Sequence, residues 1–308
     1  MQHLRIATRR SALALWQAEH VASLLRERHP GLEVSLVKIV TAGDRIQDRP
    51  LSEVGGKGLF IKELEVAMAE GRADLAVHSM KDVPAVLPDG FLIAAVLPRA
   101  DPRDAFLSLK HANFAALPHG ARVGTSSQRR QSILRAQRPD LEIVPLRGNV
   151  DTRLRKLDAG EFDAIILAAA GLTRLGFAAR ITEYLAPSVS LPAVGQGIVG
   201  IECRNVPDVL ARVGVLDDRP TRECLAAERA LAARLEGSCT SPIAGFARHA
   251  GGGLELEGLV GAPDGSVVYR DRIAGGAGDG EALGRTLADR LLAAGAGTLL
   301  AALRVRGD

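Results

Sequence analysis

Short apolar runs alternate with longer amphipathic ones along the first two thirds of the chain, the rhythm of strands and helices taking turns. Leu4-Arg5-Ile6-Ala7-Thr8 reads as a strand. From Ser11 to Arg28, Leu13, Trp16, His20, Leu24 and Leu25 fall near one helical face, and Ser11 stands where a side-chain oxygen can accept from the first free amides. His29-Pro30-Gly31 closes that helix, and Leu32 to Val40 alternates as a strand does. The same plan returns later, with a strand from Ala121 to Thr125, a helix from Ser126 to Gln137, a stop at Arg138-Pro139-Asp140 and a strand from Leu141 to Leu146. "HPGLEV" from His29 is echoed by "RPDLEIV" from Arg138, and "EGRADLAVHS" from Glu70 by "AGEFDAIILA" from Ala159. The pattern predicts an α/β protein with two related lobes, residues 1–98 and 103–192.

A polar, proline-bracketed crossover from Leu97 to Arg103 joins the lobes. After Pro192 to Gly197 comes a strand, Ile198 to Cys203, placed to carry the chain back, so residues 198–215 are assigned to the first lobe. Residues 221–308 read as a small α+β C-terminal domain. Its parts are a helix to Leu235, short strands near Ile243 to Arg248, Leu254 to Val260 and Val267 to Ile273, and a helix from Gly280.

Ligands of two-lobed α/β proteins sit in the cleft, beyond the carboxyl ends of the strands. That rule nominates Arg9, Arg10 and Ser11, then His78 to Asp82, Thr125 to Arg130, and Arg147 to Arg153. The lining is cationic, with the carboxylate of Asp82 set among the donors.

Composition narrows the choice. Hydrophobic residues make up 47% and charged residues 24%, as in a folded globular protein. Aromatics are only 3%, too few for the stacking platforms that single-stranded nucleic acid requires. The net charge of +3 is small for a polyanion binder, although seven arginines cluster between Arg129 and Arg155. Any one of them can equally be a salt-bridged surface residue. Three cysteines without CxxC spacing argue against a disulfide framework, and the histidines offer no zinc spacing, so no metal is expected. The N-terminus has no signal-peptide core, and the apolar run from Leu291 to Leu303 falls short of the ~20 residues of a membrane span. A reducing, cytoplasmic compartment is the expectation, with neither membrane nor nucleic acid as partner.

Four motifs carry candidate chemistry, each beside a plainer alternative. Gly55-Gly56-Lys57-Gly58 opens a helix and is either an anion seat or a flexible loop; it lacks the spacing of a P-loop. Thr125-Ser126-Ser127 can simply cap a helix, but the pair Arg129-Arg130 behind it makes a carboxylate or phosphate seat. Asp82 is either a salt-bridge partner or a carboxylate that stabilises positive charge. Cys239, in the loop "EGSCTSPIAG", is either a reactive thiol or a small buried hydrophobe.

Taken together, "RIATRRSALALWQA", "VGGKGLF", "ADLAVHSMKDVP", "DPRDAF", "VGTSSQRR", "LRGNVDTRL", "DAIILAAAGLTRLG", "LPAVGQG" and "EGSCTSPIAG" resemble the porphobilinogen deaminase (hydroxymethylbilane synthase) family over nearly the whole chain. The resemblance implies two lobes like those of periplasmic binding proteins and a third domain bearing a cysteine. A dipyrromethane cofactor is bound there through a thioether, which falls here on Cys239. It also implies that four porphobilinogen molecules condense head to tail, with loss of ammonia, into hydroxymethylbilane, a step of heme and other tetrapyrrole biosynthesis, in a monomeric enzyme. By resemblance, Ser11, Lys81, Thr125, Ser127, Arg129, Arg130 and Arg147 bind the cofactor, and Arg9, Arg153, Arg174 and Gln196 the substrate. Asp82 is the catalytic residue.

The implied roles suit the chemistry. Every pyrrole ring carries an acetate and a propionate, so each addition brings two carboxylates that guanidinium groups hold at about 1.5–3 kcal/mol apiece. Loss of ammonia builds positive charge, which one carboxylate near the pyrrole nitrogens stabilises. Two positions depart from the family pattern: Glu53, where some members are basic, and Ser238, where many have glycine. The rival expectation is a non-catalytic two-lobed solute-binding protein.

Overall fold

The computed structural model describes residues 2–45, 61–237 and 241–305. Glu53, the Gly55–Gly58 motif and Cys239 lie outside the described residues.

The first lobe begins with β1 (His3–Arg9), α1 (Ala12–Arg28) and β2 (Glu33–Ile39). Ser11 caps α1, its side chain accepting from Ala14 N, as its position in the sequence predicts. A short helix α2 (Ala42–Arg45) follows, then α3 (Lys62–Ala69), β3 (Leu75–Ser79), a helical turn Met80–Asp82 and β4 (Phe91–Val96). The second lobe holds β5 (Asp104–Leu107), β6 (Arg122–Gly124), α4 (Gln128–Gln137), β7 (Glu142–Val144), α5 (Val150–Asp158), β8 (Ala164–Ala168), α6 (Ala169–Arg174) and β9 (Glu183–Leu185). The chain then returns as β10 (Val199–Arg204) and α7 (Pro207–Val213).

The two sheets have one plan. The first is ordered β2-β1-β3-β10-β4 and the second β7-β6-β8-β5-β9. In each, the fourth strand is antiparallel to both its neighbours, and it is the strand that the chain enters directly after crossing from the other lobe. Both faces of each sheet are covered, so an inner strand such as β8 is a continuous apolar run, whereas β2 at the edge alternates. In the second lobe, Ile165 and Leu167 pack with Leu154, Leu157 and Leu172 on one face, while Ile166 packs with Val123 and Leu134 on the other.

The C-terminal domain packs α8 (Arg219–Arg234) and α9 (Gly280–Leu291) on an antiparallel meander of β11 (Ile243–Ala250), β12 (Gly253–Gly261) and β13 (Val268–Gly275). Leu231, Leu287, Leu291, Leu254, Leu256 and Val260 form its core. The stretch Ala277–Leu303 is long and apolar enough to cross a membrane by length and composition. Its backbone is broken at Gly295 (φ +120°), where α10 (Gly297–Val305) begins, and Leu283, Leu287, Leu291, Ala296 and Leu300 are buried in the domain core.

Candidate active site

The cleft is built from strand ends. Arg9 closes β1 half-buried, with Ser11 capping the helix that follows. β3 runs into the turn Met80–Asp82, which places Lys81 and Asp82, both half-buried, directly beyond the strand's carboxyl end. Opposite, β6 delivers Thr125, 2% exposed, whose Oγ1 accepts from Ser127 N at 3.2 Å. Ser127 caps α4 by accepting from Arg130 N. Arg147 lies half-buried between β7 and α5. Arg153, on α5, donates through Nε to Gly148 O at 2.7 Å. Arg174, at the end of α6, donates to Gly197 O at 2.8 Å and lies 5.8 Å over the Trp16 ring. It thereby joins the second lobe, the return crossover and α1.

Electrostatics show how tightly these groups are gathered. Burial holds the Lys81 ammonium down to about 8; Asp82 and Asp104 pull it up, and Arg130 and Arg129 push it further down. Arg153 is lowered to about 10, by burial first and then by Arg130 and Arg147, with Asp82 opposing. Burial also lowers Arg174. A cationic pocket that depresses its own cations is poised to take up anionic groups, which would restore them.

The strand-end rule did not nominate Asp104, at the start of β5, yet this carboxylate is fully buried beside the cleft arginines. It sits between Arg129 (Nη1 to Oδ2, 2.9 Å) and Arg130 (Nη2 to Oδ1, 2.7 Å). Burial alone would raise its pKa; the two guanidinium groups overcome that and hold it well below the carboxylate range. Arg129 and Arg130, at 3% and 6% exposed, are therefore not surface residues of a solvated helix. Ser190 Oγ and Gln196 Nε2 complete the set, donating to Asp104 at 2.7 and 3.0 Å. The available signal was an acid opening the wholly apolar strand "DAFL" directly after a crossover, within a motif already singled out.

Gln196 lies in the return crossover and is 1% exposed; its Nε2 also donates to Pro102 O at 2.6 Å. Arg99 Nε donates to the Gln196 carbonyl at 2.9 Å, and its Nη1 meets the buried Glu228 of α8 at 2.5 Å. Glu228 also accepts from Gly195 N at 2.7 Å and Ala247 N at 2.8 Å. Both crossovers and the C-terminal domain thus meet at one buried carboxylate.

A cavity opens between the three parts. Lys81 and Val83 line it from the first lobe, Ser127 and Arg129 from the second, and Gly237 and Ser241 from the C-terminal domain. Gly237 and Ser241 are the described residues on either side of the segment containing Cys239.

Comparisons with known proteins agree with this geometry. Residues 4–211 match the family model described as porphobilinogen deaminase, dipyromethane cofactor binding domain, and residues 222–293 match the porphobilinogen deaminase C-terminal domain. A curated porphobilinogen deaminase of Chromobacterium violaceum is 56% identical over 98% of this chain and 98% of its own. That of Xanthomonas euvesicatoria pv. vesicatoria is 56% identical over 98% of this chain and 100% of its own. Among solved structures, the amino-acid ABC transporter extracellular-binding protein ytmK of Bacillus subtilis is 13% identical, covering 70% of this chain and 90% of its own, with a TM-score of 0.43. Two family models in succession and relatives matched end to end leave one assignment: the chain belongs to the porphobilinogen deaminase family.

Proposed function

We propose that the chain is a transferase that condenses four porphobilinogen molecules into hydroxymethylbilane, on a dipyrromethane primer held by Cys239. The activity and the cofactor follow from the family. The observation that carries it is the convergence of Lys81, Ser127 and Arg129 on the cavity flanked by Gly237 and Ser241. A solute-binding role is not favoured, because the curated relatives matched over 98% of the chain are named as the deaminase.

The donor set fits the cofactor. Arg129 Nε is a buried donor and Gln196 Oε1 a buried acceptor, each without a hydrogen-bond partner among the described residues. Leaving such groups unmade is costly, and a ligand bearing both carboxylates and pyrrole N–H groups is of the right chemical kind to satisfy them. When bound, dipyrromethane supplies the free α-carbon from which the chain grows.

The protein's own residues divide the remaining work. Ser11, Lys81, Thr125, Ser127, Arg129, Arg130 and Arg147 hold carboxylates of the primer, and Arg9, Arg153 and Arg174 those of the incoming ring, while Gln196, its Nε2 committed to Pro102 O and Asp104, offers its Oε1 to a pyrrole N–H. These contacts serve every stage alike and so provide binding rather than rate. Asp82 supplies the rate: its carboxylate, close enough to act on both Lys81 and Arg153, stabilises positive charge on pyrrole nitrogen, and takes up or returns a proton there. The same reading makes the protein a monomer of the cytoplasm with no membrane or nucleic-acid partner; the free, buried thiols of Cys203 and Cys224 suit a reducing compartment.

The test is a pulse of limiting porphobilinogen followed by intact mass under denaturing conditions. A ladder of enzyme-bound species, each one ring heavier, is expected. Free short oligopyrroles without bound species would sink the tethered mechanism.

A further inference from the structure

Asp104 is a heavily engaged carboxylate beside the cleft arginines, and none of the roles above uses it. Its Oδ1 accepts from Arg129 Nη2 (3.1 Å), Arg130 Nε (3.1 Å), Arg130 Nη2 (2.7 Å) and Gln196 Nε2 (3.0 Å). Its Oδ2 meets Arg129 Nη1 (2.9 Å) and Ser190 Oγ (2.7 Å). Each guanidinium is pinned a second time by a carbonyl, Arg129 Nη1 on Leu191 O at 2.5 Å and Arg130 Nη1 on Ile166 O at 3.1 Å.

Stability does not account for this arrangement. A buried ion triad can often be replaced by apolar side chains of similar volume without loss, because desolvating the charges offsets their attraction. What the triad provides is orientation. Both guanidinium groups are fixed by Asp104 and by a carbonyl, while Arg129 is among the residues that line the cavity and its buried Nε has no hydrogen-bond partner among the described residues. Fixing long side chains before a ligand arrives removes their ordering from the cost of binding. Through Gln196, which also holds Pro102 O, the same carboxylate ties the pair to both crossovers.

We propose that Asp104 is a positioning residue for cofactor capture, presetting Arg129 and Arg130 toward the cleft and fixing them relative to the interlobe crossovers. The inference rests on the function proposed above. It concerns the assembly of the primer rather than the chemistry of ring addition.

The experiment follows primer loading by intact mass when apo-protein is incubated with porphobilinogen, with melting temperature measured in parallel. Asp104→Asn keeps the shape but removes the charge, and loading should slow by about 10²-fold, the effect of misplacing a binding group by about an ångström. Asp104→Glu restores the charge and should recover part of that loss. Ser190→Ala leaves every charge in place and guards against a variant that fails to fold; removing one of the two partners of Oδ2 should slow loading by about 5-fold, one hydrogen bond's worth. Asp104→Asn that melts earlier yet loads at the parental rate overturns the proposal, as does an unchanged rate in Ser190→Ala if Asp104→Asn does not fold. A parental protein that never gains the primer mass overturns the attachment at Cys239 itself, and this inference with it.

Discussion

Gly200 on β10 lies so close beneath Met80 that a Cβ at position 200 would collide with the methionine sulfur. Met80 is 1% exposed and opens the turn that carries Lys81 and Asp82. Gly195, at φ +69°, presses on it from the return crossover, its Cβ position 2.9 Å from the Met80 carbonyl carbon. The turn is seated by two positions that lack side chains. We predict that Gly200→Ala displaces Met80, costs about 1–3 kcal/mol of stability by overpacking, and lowers kcat more than it raises KM. Melting temperature and steady-state kinetics check this; a destabilised variant with parental kcat would mean that the sulfur moves without Asp82.

The cysteines should differ in reactivity. Burial pushes the Cys203 thiol up to about 11, assisted by Glu202, and likewise Cys224 to about 11, assisted by Glu228. Neither is a thiolate near neutrality, and the thiolate is the nucleophile. The denatured mass should exceed the sequence mass by two linked pyrrole units, resist thiols, and drop to the bare value in Cys239→Ser. Cys203→Ala and Cys224→Ala should retain the excess. A Cys239→Ser protein that still carries it would move the attachment elsewhere.

Asp82 should govern turnover rather than affinity. Asp82→Asn preserves shape and one acceptor while removing charge and base, so kcat should fall by about 10²–10⁴ with little change in KM. Asp82→Glu, with its charge displaced by one methylene, should keep more activity than Asn. If Asp82 were only an ion-pair partner, the melting temperature would drop while kcat per folded molecule stayed parental.

Lys81 makes binding depend on pH in a direction opposite to stability. Its folded value of about 8 lies below the ~10.4 of an unfolded lysine. Between those values the unfolded chain holds more protons, so this group's contribution to stability rises with pH. The charge that attracts primer carboxylates is meanwhile lost as pH climbs through about 8. We predict that primer loading onto apo-protein slows from about pH 7 to about pH 9 without a matching loss of stability from this group, and that Lys81→Met flattens the fall. A loading profile unaltered by Lys81→Met would remove the lysine from primer binding.

Much of this was legible because local rules act over a few residues. Ser11 and Ser127 announce their helices by capping them, and the repeated strand–helix–stop pattern marks both lobes. Lys81 and Asp82 follow an apolar strand, where cleft residues of α/β folds stand. Asp104 was not legible as a partner of Arg129 and Arg130, because those contacts bridge a separation of about 25 residues and depend on how β5 is inserted beside β8. Nor does periodicity reveal that Glu228, on a helix of the third domain, closes over both crossovers. Such carboxylates look in sequence like any charge on an amphipathic element. Only the fold shows that no water reaches them.

The exchanged fourth strands set an order of events on the ribosome. Every strand of the second sheet lies between Asp104 and Leu185, so that sheet can close as soon as this stretch has emerged. The first sheet cannot. Among the described residues β4 pairs only with β10, and β10 is not synthesised until Val199–Arg204. Through the intervening translation β3 and β4 each present an unpaired edge, the kind of surface that recruits foreign strands. The lobe encoded first is therefore completed second, and the nascent chain depends on its own later segment for protection.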